Sequence, residues 1–137
     1  MDETVEAVLR ASCTVAVVGL GNVPDKPIYE VAQYLLDEGI SIVPVHPRAE
    51  RVFEQPAYRT VAALPDELRA DTALLAVRAE VAGEVLEEIV ADGRIRNVWL
   101  QPGCEPAAEV MQRVRDAGLR LVAGRCMMAE LQRRLEG

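Results

Sequence analysis

The 137-residue chain is half hydrophobic but has only five aromatic side chains, so aliphatic residues must build its core. Its 15 basic and 22 acidic residues leave a net charge of −7, which argues against general binding to nucleic acid or to an anionic membrane surface. No run reaches the roughly 18 apolar residues of a membrane span, and Cys13, Cys104 and Cys126 form no C-x-x-C pattern, so neither a disulfide framework nor a metal site is expected.

In chain order, Val5, Val8 and Leu9 fall at helical spacing and predict a short N-terminal helix. Thr14 to Val18 reads as a buried strand running into Gly19-Leu20-Gly21-Asn22, a glycine turn with the G-x-G spacing of a phosphate loop. Pro24 stands where a third glycine is usual. Proline lacks an N–H, so the following helix is expected to start later, with Pro27 in its first turn and Lys26 beside it. Ile28, Val31, Ala32, Leu35 and Leu36 form the apolar stripe of that helix, which Gly39 closes. Ile40 to Val45 is a second strand, ended by His46-Pro47-Arg48. Arg48 to Pro65 has no long period and is read as a connection with one short edge strand near Pro56 to Tyr58. Regular alternation then resumes: a strand at Thr72 to Val77, a helix carrying Val81, Val85, Leu86, Ile89 and Val90, a strand at Asn97 to Leu100, a helix from Val110 to Ala117, a strand at Leu119 to Ala123, and a closing helix with Met127, Leu131 and Leu135. Such alternation predicts an α/β doubly wound parallel sheet in a single domain over residues 1–137.

Ligands of doubly wound sheets bind beyond the carboxyl ends of the strands. The informative loops are therefore Gly19 to Pro27, His46 to Arg48, Arg78-Ala79 and Gln101 to Gly103. Helix N-termini and placed cations suit these loops to an anion. A glycine turn after a first strand also occurs for packing alone, and that reading stands beside the phosphate one. Dinucleotide-binding sheets usually end the second strand with a carboxylate for the ribose; here none appears before Glu50. A guanidinium at Arg48 and an imidazole at His46 favour a phosphate in that region instead. Equally, Arg48 can be a solvated cation and His46 a structural hydrogen-bonding group.

Taken together and in order, Val17-Val18-Gly19-Leu20, Pro24-Asp25-Lys26-Pro27, Val31-Ala32-Gln33-Tyr34-Leu35, Ile42-Val43-Pro44-Val45-His46-Pro47, Val98-Trp99-Leu100-Gln101-Pro102-Gly103 and Gly124-Arg125-Cys126-Met127 resemble the bacterial CoA-binding domain proteins. This Rossmann-like fold also occurs as the CoA-binding domain of succinyl-CoA synthetase α subunits and related acyl-CoA synthetases. The resemblance covers about Ala11 to Arg134 and implies a sheet of about five parallel strands with helices on both faces. It further implies that coenzyme A or an acyl-CoA lies across the strand ends. Gly19, Leu20, Gly21 and Asn22, with Lys26 and Pro27, would hold the phosphates, His46 and Pro47 would seat the adenosine part, and Val77, Arg78, Gln101, Pro102 and Gly103 would wall the groove toward the pantetheine. The chain departs from the family where His46 replaces a usual Asn, where Gly21-Asn22 replaces a Ser or Thr, and where Ala76, Val77 and Arg78 replace an Asp and a Phe-Arg pair.

The sole histidine supports no Ser/His/Asp set, and the expectation is a cytoplasmic protein that binds without catalysis of its own. The acidic start, Met1-Asp2-Glu3, lacks signal-peptide character, and no protein partner is indicated. Cys104, placed at the expected start of a helix that would lower its thiol pKa, is a candidate for disulfide exchange with CoA, or else an idle helix-end thiol; Cys126 is read as packing. Two other functions remain open: an NAD(P)-linked redox or sensor domain, and a regulatory interaction subunit with a vestigial groove.

Overall fold

The computed structural model describes residues 2–136. Its elements are α1 (Glu3–Ala11), β1 (Thr14–Val18), α2 (Pro27–Asp37), β2 (Ser41–Val45), β3 (Arg51–Val52), β4 (Gln55–Pro56), β5 (Thr72–Leu75), α3 (Ala79–Asp92), β6 (Asn97–Leu100), α4 (Ala108–Asp116), β7 (Arg120–Val122) and α5 (Met127–Glu136). Five strands form one sheet in the order β2-β1-β5-β6-β7, with every pairing parallel. This is the expected Rossmann-like α/β sheet. The chain steps outward from β1 to β2, then returns past β1 to β5, so strand order reverses between β1 and β5. A crevice opens at such a reversal because the two following loops leave toward opposite faces.

The strands are apolar along their whole length because both faces are covered. Val15 and Val17 of β1, Leu74 of β5 and Trp99 of β6 face the layer of α1, α2 and α5, whereas Ala16, Ala73, Leu75, Val98 and Leu100 face α3 and α4. Trp99 is fully buried, and its indole N–H donates to the carbonyl of Arg125 at 2.8 Å. That bond fixes the turn between β7 and α5 against the sheet. The amino edge of the sheet is sealed by polar groups. The Asp71 carboxylate accepts from the N–H of Cys13 and Thr14, while Ser12 and Thr72 hydroxyls pair at 2.9 Å.

One sequence expectation changes. In place of a single edge strand near Pro56 to Tyr58, β3 and β4 form a separate antiparallel hairpin, and only Tyr58 joins the main sheet, through one parallel bridge to Val45. The hairpin turn places Phe53 and Glu54 at positive φ, 52° and 62°. Such turns normally show themselves by Gly or Asn, and neither occupies these positions, so the sequence carried no turn signal.

Candidate functional site

The loops after β1, β2, β5 and β6 and the start of α5 enclose a groove of about 1080 Å³ at the carboxyl edge of the sheet. Of the residues expected there, Gly19, Lys26, Pro27, His46, Pro47, Val77, Arg78, Gln101, Pro102 and Gly103 line it. Leu20, Gly21, Asn22 and Arg48 do not. Leu20 is fully buried and packs in the layer of α1, α2 and α5, because its side chain points inward from the turn. The amide of Asn22 donates to the Arg51 carbonyl at 2.5 Å, tying the glycine turn to the hairpin. Arg48 is exposed outside the lining.

Gly19 sits where the reversal brings two loops together. Its φ is +98°, and a Cβ there would lie 2.4 Å from the carbonyl oxygen of Ala76. Only glycine combines that conformation with that approach. Its N–H donates to the Val45 carbonyl at 2.8 Å, so this donor continues the sheet and is not free for an anion, contrary to a cradle using every N–H of the turn. The N–H groups of Leu20, Gly21 and Asn22 have no acceptor among the described residues.

Two helices start at the groove with cations at their N-caps. Lys26 caps α2 and Arg78 caps α3, and neither helix has a side-chain cap bond. Of the other helices, α1 is capped by Asp2, which accepts from its first turn, and at the start of α5 Gln101 Oε1 accepts from the N–H of Met127 at 2.9 Å, whereas α4 has the uncharged Ala107 at its N-cap and no side-chain cap bond. A cation at the positive end of a helix is unfavourable unless an anion lies between. Lys26 is also the only lysine of the chain. Asp25 and Glu30 line the same groove, so its positive character is local to the two caps.

His46 braces the loop after β2. Its Nδ1 accepts from the N–H of Arg48 and of Ala49, both at 3.1 Å, which fixes the neutral tautomer with the proton on Nε2. An Asn at this position closes the same turn with its side-chain oxygen, so the imidazole reproduces the hydrogen bonding of the residue usual in the resembled family. The ring also lies against Gly21, where a Cβ would come within 3.0 Å of Cδ2 and Nε2. Burial first, and then the charges of Arg48 and Lys26, hold the His46 pKa below its ordinary value.

The expectation for Cys104 is corrected. α4 begins at Ala108 with Ala107 as its N-cap, so Cys104 lies outside the helix. Its residue is 6% exposed, and burial pushes the thiol pKa up. The loop takes this form because the Cys104 N–H donates to the Gln101 carbonyl and Glu105 accepts from Gly103 and Gly124. Both Cys104 and Cys126 nevertheless face the groove, as do Ile28, Val31, Val81 and Met128. Sequence reasoning named none of these apolar walls, although the helical stripe containing Ile28 and Val31 was legible. Their double role, core below and groove above, leaves no mark on the periodicity.

The family model for the CoA binding domain matches residues 13–132. An acetate–CoA ligase (ADP-forming) of Archaeoglobus fulgidus is 33% identical over 82 residues, which cover 58% of this chain and 12% of the ligase. The chain thus corresponds to a small part of that relative. Among solved structures, a hypothetical protein from Pyrococcus horikoshii is 31% identical with a TM-score of 0.89, over 98% of this chain and 92% of its own. Prb, a protein redesigned for binding, is 29% identical with a TM-score of 0.91, over 100% and 94%.

Proposed function

Because this chain belongs to the CoA binding domain family, we propose that its strand-end groove binds coenzyme A or an acyl-CoA and carries out no catalysis of its own. The observation that carries the reading is the pair of cationic N-caps. Lys26 and Arg78 stand at the starts of α2 and α3, on either side of the reversal between β1 and β5. A pyrophosphate between them turns two unfavourable helix ends into favourable ones. The unpaired N–H groups of the Leu20 to Asn22 turn add donors on the same side, acting through backbone, so the burial of the Leu20 side chain does not oppose it. His46 and Pro47 then meet the adenosine end, and the pantetheine arm crosses β5 toward Gln101 and Gly103. The volume suits a ligand of this size, since small-molecule sites usually span about 300–1,000 Å³. The compartment proposed is the cytoplasm, where CoA metabolism meets reduced thiols.

The ligase relative is named for a reaction with CoA, which supports the ligand class but not the reaction for a chain matching 12% of it. For the NAD(P) reading, which shares the glycine loop, the second strand supplies no carboxylate for a ribose, and Arg48, whose guanidinium would meet the ribose phosphate of NADP, lies outside the groove lining.

Lys26 provides a direct test. As the only lysine it gives a single side-chain signal in reductive methylation followed by peptide mass spectrometry. Once CoA exceeds its Kd about tenfold, the modification of Lys26 is expected to slow by roughly tenfold. An unchanged rate in millimolar CoA rejects phosphate binding at this cap.

A further inference from the structure

The groove runs from His46, after the edge strand β2, to Cys126, after the other edge strand β7. Cys126 and Met128, at the start of α5, line it from the layer of α1, α2 and α5, and Cys104, in the loop after β6, lines it from the layer of α3 and α4, whereas Cys13, the third thiol, is exposed at the opposite edge of the sheet. The two groove thiols differ. Cys104 is nine-tenths buried with its pKa pushed up by desolvation. Cys126 is partly exposed, directly precedes α5, and its Sγ accepts from Gln101 Nε2 at 3.5 Å. Gln101 is itself fixed, because its Oε1 accepts from the N–H of Met127, and the Trp99 bond to the Arg125 carbonyl holds the adjoining backbone. Cys126 is therefore an accessible thiol at a fixed place on the groove wall.

Resting on the CoA reading, we propose that Cys126 is a site of thiol–disulfide exchange with the disulfide form of coenzyme A. With phosphates at the β1 loop, the arm must cross β5 and β6 to reach β7, three strand spacings or about 14 Å. The pantetheine arm is equivalent to about four peptide units, which span about 14 Å when extended. Its sulfur thus arrives beside Cys126. In the exchange, Cys126 gives its proton to solvent and the Sγ thiolate attacks one sulfur of the CoA disulfide. The ligand S–S bond breaks, a Cys126–CoA disulfide forms, and the second CoA leaves as a thiolate that takes a proton from solvent. Cys126 is oxidised and one CoA is reduced, so the electrons balance. The consequence is a redox-dependent change from reversible to covalent retention of CoA in the same groove.

The test is intact-protein and peptide mass spectrometry after incubation with CoA disulfide or, as a comparison, glutathione disulfide. The expected result is one CoA adduct, less two hydrogens, on Cys126, forming at least about tenfold faster than the glutathione adduct because binding raises the local concentration of the reacting sulfur. S-methyl-CoA should suppress it, a reducing thiol should reverse it, Cys126→Ser should abolish it, and Cys104→Ser and Cys13→Ser should retain it. An adduct on Cys104 or Cys13, or equal rates for the two disulfides, overturns the proposal. Titration of reduced CoA into the Cys126→Ser protein separates the two claims: binding without any wild-type adduct overturns only the exchange, and no binding in either protein overturns the CoA reading with it.

Discussion

At the scale of single residues, His46 illustrates how one side chain carries both fold and site. Its Nδ1 accepts two backbone N–H bonds and its ring covers Gly21, so protonation at Nδ1 replaces two attractions with a repulsion. In the unfolded chain the group titrates near its ordinary 6.5, and in the folded chain lower. The unfolded state therefore takes up the proton first. The contribution of His46 to stability is complete above about pH 6.5 and is lost as pH falls through that value toward the lowered folded pKa. Urea midpoints measured across about pH 5 to 8 should show this acid limb in the wild type and a shallower one in His46→Asn, which keeps an acceptor for the turn without a titrating ring. His46→Ala should lose about 1 kcal/mol at neutral pH by leaving both N–H groups to solvent. Equal acid limbs in the wild type and His46→Asn contradict this role.

At the scale of elements, the starts of α2 and α3 are built against helix stability. Serine at the N-cap normally stabilises a helix, and Lys26 supplies no cap bond. Lys26→Ser should raise unfolding free energy by about 0.5–1 kcal/mol in ligand-free protein. The same change should weaken CoA binding roughly tenfold to a hundredfold, the usual worth of a hydrogen bond to a charged group. Denaturant unfolding and ligand titration on the same sample measure the two effects. Opposite signs support an anion site at this helix end, whereas a loss of stability with unchanged affinity makes Lys26 a structural residue. The hairpin of β3 and β4 belongs to the same assembly. Asn22 holds its backbone, and Phe53 packs on Tyr29 of α2 with ring centroids 4.5 Å apart, so the glycine turn and the helix start are braced from one side.

At the scale of the molecule, the five strands of the main sheet and the five helices were legible because apolar runs and helical stripes alternate from Val5 to Val45 and again from Thr72 to Leu131. The hairpin was hidden because its left-handed turn uses Phe53 and Glu54. At the site, the loops that face the groove followed from the rule that ligands lie beyond strand ends, and ten of the fourteen expected site residues line it, while Leu20, Gly21, Asn22 and Arg48 do not. What sequence alone missed was side-chain direction: Leu20 turns into the core, Asn22 turns to the hairpin, and Cys104 is drawn under its loop before α4 begins. These are decided by tertiary packing at the strand reversal, where Gly19 and Ala76 meet, and no local spacing encodes that meeting. Recognition of coenzyme A at this edge of the sheet is decided by calorimetric titration. A saturable one-to-one heat with CoA and weaker binding of NADPH are expected; no heat at millimolar CoA, or tighter binding of NADPH, would rule out a CoA site here.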